Sequence, residues 1–389
     1  MNDADVIVVG SRVAGSALAI RLAFRGRNVV LVDRATFPSD TMSTHCWGPE
    51  VNARFRDLQA LDAVTAAGME PILGLRMLYG DVAIEAHVWP FEGMNRGGSL
   101  RRVHLDKALL DHARETPGVD VVEGCRVDVV LEGETAVGVR GADLEIRAPL
   151  VVGADGMRSA VAAAVGATIE DSYPTQRFGY FAYWRGSTAP AGYLVQRFLG
   201  DDVITVQPCD DGLQILAVTR PLREFASFRR DYRRNYLETA ASIAPDVWRW
   251  FKNASIEGRI QGTADVPGFH RRPFGQGWAL IGDAWYHKDP ITALGIGDAL
   301  LEAELIAPAI DRHLEGDGEA MRDAYARLRI ASDPWYEWTC SVATPAPLTE
   351  RTRDYVRRIA ADEQLCSRLI NVWTHAVRPR DVLTAPTGV

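Results

Sequence analysis

A chain of 389 residues with 47% hydrophobic content has enough apolar material for two closely packed domains. Its net charge of −8 supplies no basic footprint for nucleic acid or an anionic membrane surface, and no stretch reaches the roughly 18 uninterrupted apolar residues of a membrane span. The five cysteines are far apart, with no C-x-x-C pair and no histidine cluster at ligand spacing, which predicts reduced thiols and no metal site. The apolar start lacks a basic leader, reads as a core strand, and places the chain in the cytoplasm.

The first element is VIVV, Val6–Val9, a wholly apolar run ending at Gly10, as expected of a buried parallel strand. Helical spacing over 13–25, a stop at Gly26, and a second apolar run ending at Asp33 complete a strand, glycine turn, helix, strand unit. A dinucleotide fingerprint needs Gly10 for the turn, a second glycine where backbone approaches a pyrophosphate, and Gly15 for close helix packing. Arg12 stands at the second position. It can swing outward and offer donors to the same anion, or be simply solvated in a unit that binds nothing. Asp33, about 20 residues past the turn, sits where a ribose diol is held.

RRVHLDKALLDHARE (101–115) has helical spacing, with Arg102 just ahead of the helix, and PLVVGADGMRSAV (149–161) is an apolar strand ending in Gly153, Asp155 and Gly156. Aromatic and β-rich runs follow, RFGYFAYWRG (177–186) first among them, with Asp211 and Gly212 as a hairpin turn. The segment 225–255 reads as helical. GWALIGDAWYHKDPITALGIGDALLEAELIA (277–307) repeats the strand, Gly-Asp, loop, helix design, and a helical tail runs on after Leu314. Three strand ends thus deliver glycine plus aspartate, and such ends form the ligand-binding edge of open α/β sheets. Taken singly, each aspartate is more ordinarily a helix cap or turn residue.

The order of glycine fingerprint, Arg-x-x-Leu-Asp, Gly-Ala-Asp-Gly-x-x-Ser and Gly-Asp-Ala…Asp-Pro…Gly-x-Gly resembles the FAD-dependent monooxygenases of the para-hydroxybenzoate hydroxylase fold. Within them it is most similar to a bacterial subgroup, related to geranylgeranyl reductases and flavin-dependent halogenases, that carries DRA-F-P-S-D-T-x-S-T-H and YHKDPIT and commonly has arginine at the second fingerprint glycine. The resemblance implies an α/β fold: a Rossmann-like FAD-binding domain (1–73, 99–170, 268–314) interleaved with an antiparallel substrate domain (74–98, 171–267), plus a helical C-terminal region (315–389). It implies that Gly10, Ser11, Arg12, Ala14 and Gly15 cradle the FAD pyrophosphate, that Asp33 takes the adenosine ribose with Arg34 beside the adenine, and that Val127 meets the adenine by its backbone. Thr44 and Arg102 then lie along the flavin side, Asp155 supports the nucleotide, Asp283 binds the ribityl hydroxyls, and Pro290, Gly295, Ile296 and Gly297 border the isoalloxazine.

His45 and His287 flank flavin-facing motifs and are candidate proton shuttles, though loop histidines are more often structural. Tyr180 and Trp184 are candidates for a wall against a flat substrate, though strand aromatics are usually core. Cys46 raises covalent flavin attachment only weakly. The expected activity is oxygenation of an aromatic or polyketide-like small molecule by a flavin C4a-hydroperoxide, in secondary metabolism. NAD(P)H is the expected transient donor, or a separate flavin reductase, because no second glycine fingerprint exists; the chain is expected to be a monomer or homodimer. A reductase of the geranylgeranyl type is the main alternative, and a flavoprotein without turnover is a weaker one. Halogenation is disfavoured. It calls for a lysine soon after the first βαβ unit and a W-x-W-x-I-P segment, whereas the only lysines are Lys107, Lys252 and Lys288, and WRWFKN lacks the Ile-Pro.

Overall fold

The structure, a computed structural model, describes residues 4–347 and 349–383, so the last six residues of the expected helical tail lie outside it. A six-stranded sheet runs in the order Phe274–Gly275, Trp278–Leu280, Leu150–Gly153, Val6–Val9, Val29–Val32, Val119–Val122. All its pairs are parallel except the one at the Phe274–Gly275 edge. The inner strands Val6–Val9 and Val29–Val32 read as unbroken apolar runs because both faces are covered, whereas the edge strand Val119–Val122 exposes Asp120. Helices Val13–Ala23, Arg102–Glu115 and Gly295–Leu314 pack together on the sheet. Arg102 is the first residue of its helix, one position further in than its sequence suggests.

A seven-stranded sheet forms the second layer, in the order Ser255–Thr263, Arg177–Arg185, Leu213–Pro221, Asp202–Pro208, Tyr193–Leu199, Gly74–Tyr79, Val82–His87. It is antiparallel except where Tyr193–Leu199 meets Gly74–Tyr79. Gly97–Ser99 instead joins a small sheet with Cys46–Trp47 and Glu70–Ile72. Asp211 and Gly212 both have positive φ, 59° and 66°, the geometry of a type I′ hairpin turn.

Alternation by two assigns the faces of this large sheet. Phe178, Ala182, Trp184, Ile204, Leu216 and Val218 pack against Phe228, Tyr236, Val247 and Phe251 of the helical segment that follows. The opposite face, with Met77, Leu194, Gln196, Thr205, Ile215 and Ala217, looks into a cavity. Helices Ala320–Ala343, Glu350–Ala360 and Glu363–Ile370 close that cavity from the far side.

Candidate active site

The cavity begins at the carboxyl edge of the parallel sheet. Gly10 has φ +102°, and a Cβ there would lie 2.4 Å from the Ala154 oxygen; one on Gly15 would lie 1.8 Å from the Gly10 oxygen. No other residue fits either place. The Val13–Ala23 helix starts without a side-chain cap, and Val13 and Ala14 at its first turn line the cavity. Its free N–H groups and dipole end make an anion site. Ser11 and Gly15 shape this turn without themselves lining the cavity. Ser11 is buried and donates from N–H and Oγ to Asp33 Oδ2, at 2.7 and 3.0 Å. Among the described residues Asp33 Oδ1 accepts only the Ala35 N–H, at 2.8 Å, and so keeps one lone pair for a ligand on the cavity side.

Arg12 corrects an expectation. Its guanidinium does not turn to the anion site: it donates to Ser39 O at 3.1 Å, to Ser39 Oγ at 3.2 Å, to Asp40 O at 3.1 Å and to the buried carboxylate of Asp106. The side chain that replaces the fingerprint glycine therefore staples the 37–40 loop to the Arg102–Glu115 helix, and its charge is already matched. Arg102 donates through Nε and Nη2 to Asp106 Oδ1, at 3.1 and 2.9 Å, which leaves its Nη1 without a partner among the described residues, on a side chain that lines the cavity.

The strand-end aspartates differ. Asp155 serves as a cap, accepting from Ser159 Oγ at 2.5 Å and from Ala160 N–H at 2.7 Å, while also bordering the cavity. Asp283 is exposed to the cavity and makes no hydrogen bond or ion pair with a described residue. Gly282, at φ +58°, brings this motif against the first one, since a Cβ there would meet Ala14 Cβ at 2.9 Å. Beyond it the Gly295–Leu314 helix also starts uncapped, with Gly295 and Ile296 on the cavity. Gly297 faces away, toward Val51, Glu50 and His375. Thr44, Val127, Arg34 and Pro290 line the cavity. Two uncapped helix ends, a free carboxylate between them and turns only glycine can fill suit a long ligand with a diphosphate at its centre and a ring that gains negative charge, the donor pattern FAD requires.

His45 is buried, with Nε2 2.7 Å from the Tyr183 hydroxyl, and burial, reinforced by Arg102, pulls it down to about 3. It is neutral at any working pH. His287 donates from Nδ1 to the Pro267 carbonyl, which leaves Nε2 as the ring nitrogen without a partner among the described residues on a cavity-lining side chain. Cys46 donates to Gln207 at 3.0 Å and burial pushes its thiol up to about 12, which leaves no thiolate to attack a flavin. Trp184 is misplaced by sequence reasoning: it lies outside the cavity lining, donating to Tyr236 Oη at 2.9 Å among Trp248 and Phe251. Tyr180 reaches the cavity rim, but its ring stacks on Phe228 and Tyr232.

Sequence reasoning missed Asp106, Lys288 and Asp289 as site groups, although each stands inside a motif that it recognised. Lys288 lies on the cavity wall with its ammonium 2.7 Å from Asp298, and Asp289 beside it is raised to about 6 by burial. The whole cavity measures about 1280 Å³, above the ~300–1,000 Å³ of a site for one small ligand. It runs from the glycine turn to the seven-stranded sheet and the C-terminal helices, with room for a dinucleotide and a second molecule.

Residues 3–332 match the family described as FAD binding domain. The 1H-pyrrole-2-carbonyl-(peptidyl-carrier protein) brominase of Pseudoalteromonas luteoviolacea is 25% identical over 80% of this chain and 78% of its own length. The 6-methylpretetramide 4-monooxygenase of Streptomyces rimosus is 30% identical over 79% of this chain and 75% of its own. The solved structure of a flavin-dependent brominase shares the fold with a TM-score of 0.80 and 21% identity, covering 99% of this chain and 96% of that one. No helix among the described residues is long and apolar enough to cross a membrane. With the fingerprint turn, the two helix ends and the match over 3–332 in agreement, the chain belongs to the FAD binding domain family and is an FAD-dependent oxidoreductase.

Proposed function

We propose that this enzyme is a monooxygenase, which takes one oxygen atom from O2 into an aromatic or polyketide-like small molecule and reduces the other to water with two electrons from NAD(P)H. The observation that carries this reading is the cavity's ligand half, which opens directly on the FAD cradle and offers no free lysine. Lys107 is paired with Asp111 on the surface, Lys252 is exposed, and Lys288, the one lysine on the cavity wall, is held by Asp298. The Streptomyces relative, named as a monooxygenase, supports the same choice.

In this reading the first-turn amides of the Val13–Ala23 helix, shaped by Gly10, Ser11 and Gly15, hold the pyrophosphate, and Arg102 Nη1 adds a charge-assisted donor. Asp33 and Arg34 take the adenosine end with the Val127 backbone, Asp155 steadies the turn beneath it, and Asp283 receives the ribityl hydroxyls. Thr44 and Pro290 border the ring, and the helix that begins Gly295, Ile296, Gly297 stabilises negative charge on it. When bound, FAD supplies the storage of electrons and the activation of oxygen. The chain orients the ring, excludes water with the sheet and the C-terminal helices, and can move a proton at His287 Nε2.

The test is to reduce the FAD-loaded protein and supply isotopically labelled O2 with a panel of neutral phenolic polycycles and added bromide or chloride. A product that carries one labelled oxygen is expected. A halogenated product, or a saturated product formed without oxygen, overturns the proposal.

A further inference from the structure

We propose that the ligand half of the cavity selects against anions and takes a hydrophobic molecule that carries hydrogen-bonding groups but no carboxylate or phosphate. This rests on reading the cavity as an FAD cradle joined to a substrate chamber. Strand parity is the first argument. Of the arginines on the seven-stranded sheet, Arg76, Arg197 and Arg220 stand at positions of the parity opposite to the cavity lining, where they pair with Glu85, Asp246 and Asp202, Arg185 and Arg259 are exposed to solvent, and Arg177 lines the cavity. The other polar groups the sheet presents to the cavity, Gln196, Thr205, Gln207 and Thr219 among them, are neutral.

The opposite wall repeats the pattern with helical periodicity. The Glu350–Ala360 helix is dense in charge, yet Thr352, Tyr355, Val356 and Ile359 are its cavity face, while Arg351, Asp354, Arg357 and Arg358 are exposed to solvent. Two walls built from different periodicities thus both turn most of their charges away.

Charged groups reach the chamber at its seam with the cradle, and the cations among them are engaged by protein partners. Arg177 donates to the carbonyls of Ala343 and Asp201. Lys288 holds Asp298, while Asp289 accepts the Ile291 N–H at 2.9 Å through Oδ1 and has no hydrogen-bond partner at Oδ2 among the described residues. His45 is bonded to Tyr183 and uncharged. An anionic ligand here gives up its hydration and gains no cation, which disfavours it strongly. A neutral one finds donors in the Gln207 amide, whose carbonyl already accepts from Cys46.

The experiment compares pyrenemethanol with the matching pyrenecarboxylate at about pH 8, where the acid is ionised. Binding to the FAD-loaded protein is read by the probe's own fluorescence. The alcohol is expected to bind at least roughly tenfold more tightly, and Thr205→Arg, or Gln196→Arg on the facing strand should the first variant not fold, is expected to reverse the order. Equal affinities, tighter binding of the carboxylate, or binding of neither probe overturns the proposal. A protein that takes up no FAD but still prefers the alcohol refutes the FAD reading and leaves this inference standing.

Discussion

Asp106→Ala isolates the feature that sets this chain apart from the glycine fingerprint. The carboxylate is fully buried between two arginines, but the two depend on it unequally. Arg12 is 27% exposed and retains its bonds to Ser39 and Asp40 when Asp106 is gone. Arg102 is 8% exposed, and Asp106 is its only partner among the described residues. Truncating Asp106 strands a buried guanidinium, a loss of about 3–5 kcal/mol. Arg12→Ala removes partly solvated bonds and should cost about 1 kcal/mol. Urea unfolding of the apoprotein, followed by its tryptophan fluorescence, gives both values if the slope stays constant. The pair Arg102→Met with Asp106→Leu should regain most of the loss, because well-packed apolar groups replace a buried ion pair at little net cost. FAD should bind more weakly to Asp106→Ala, since Arg102 Nη1 is no longer aimed. If Asp106→Ala is no more damaging than Arg12→Ala, or the double variant no more stable than Asp106→Ala, the reasoning is wrong.

The strand-end aspartates should separate in the same way. Asp283→Ala, with no protein partner to lose, should leave apoprotein stability within about 0.5 kcal/mol and cut FAD retention in equilibrium dialysis, whereas Asp155→Ala should cost about 1–2 kcal/mol as a lost cap. A thermal shift for Asp283→Ala as large as that for Asp155→Ala would contradict the assignment. Stability should also fall with alkali. Burial raises Glu50 from 4.5 to about 8, so the folded state holds a proton the unfolded chain has released, and that stability is lost as pH rises through 8. His45, His270 and His375, lowered to about 3, 3 and 4, act in the opposite sense and only below their ordinary 6.5. From pH 6.5 to 8 Glu50 contributes roughly 2 kcal/mol, a unit and a half at about 1.36 each, in the same sense as Glu302, which burial also raises well above 4.5. Glu50→Gln should make that stretch of the urea-midpoint profile shallower, with Glu302 keeping part of the slope, and an unchanged slope would exclude Glu50 as a source.

The first strand, its glycine turn and the hairpin turn were legible in the sequence because their signals are local. An apolar run that ends at Gly10, and a turn at Asp211 and Gly212, are set by the backbone conformations those residues permit. The Arg12 side chain was not legible, since its partners lie 27, 28 and 94 residues along the chain and only the fold brings them together. The Arg177–Arg185 strand failed for another reason. With Phe178, Tyr180, Phe181, Tyr183 and Trp184 all aromatic, alternation gives no hint of which parity faces the cavity. The helices from 225 to 251 settle it by covering Phe178 and Trp184, which leaves Phe181 and Tyr183 to meet His45.

On the proposed reading, the same contrast would sort two ligands within one cavity. At the cradle end Arg34 and Arg126 are exposed on the rim without partners among the described residues, the first helix end follows, then Asp283, then the second helix end. Past that point the wall offers no unmatched cation among the described residues. An anion gains donors only in the cradle, and an apolar molecule loses least by passing to the sheet and the Glu350–Ala360 helix. Occupancy is thereby ordered by charge along a single axis, and the two ligands meet at the seam where Lys288, Asp289 and His287 sit. The side chains that create this order in the second half come largely from strand parity and helix stripe. A substitution that moves one arginine by a single strand position would therefore change which ligands the chamber accepts while leaving the cradle as it is.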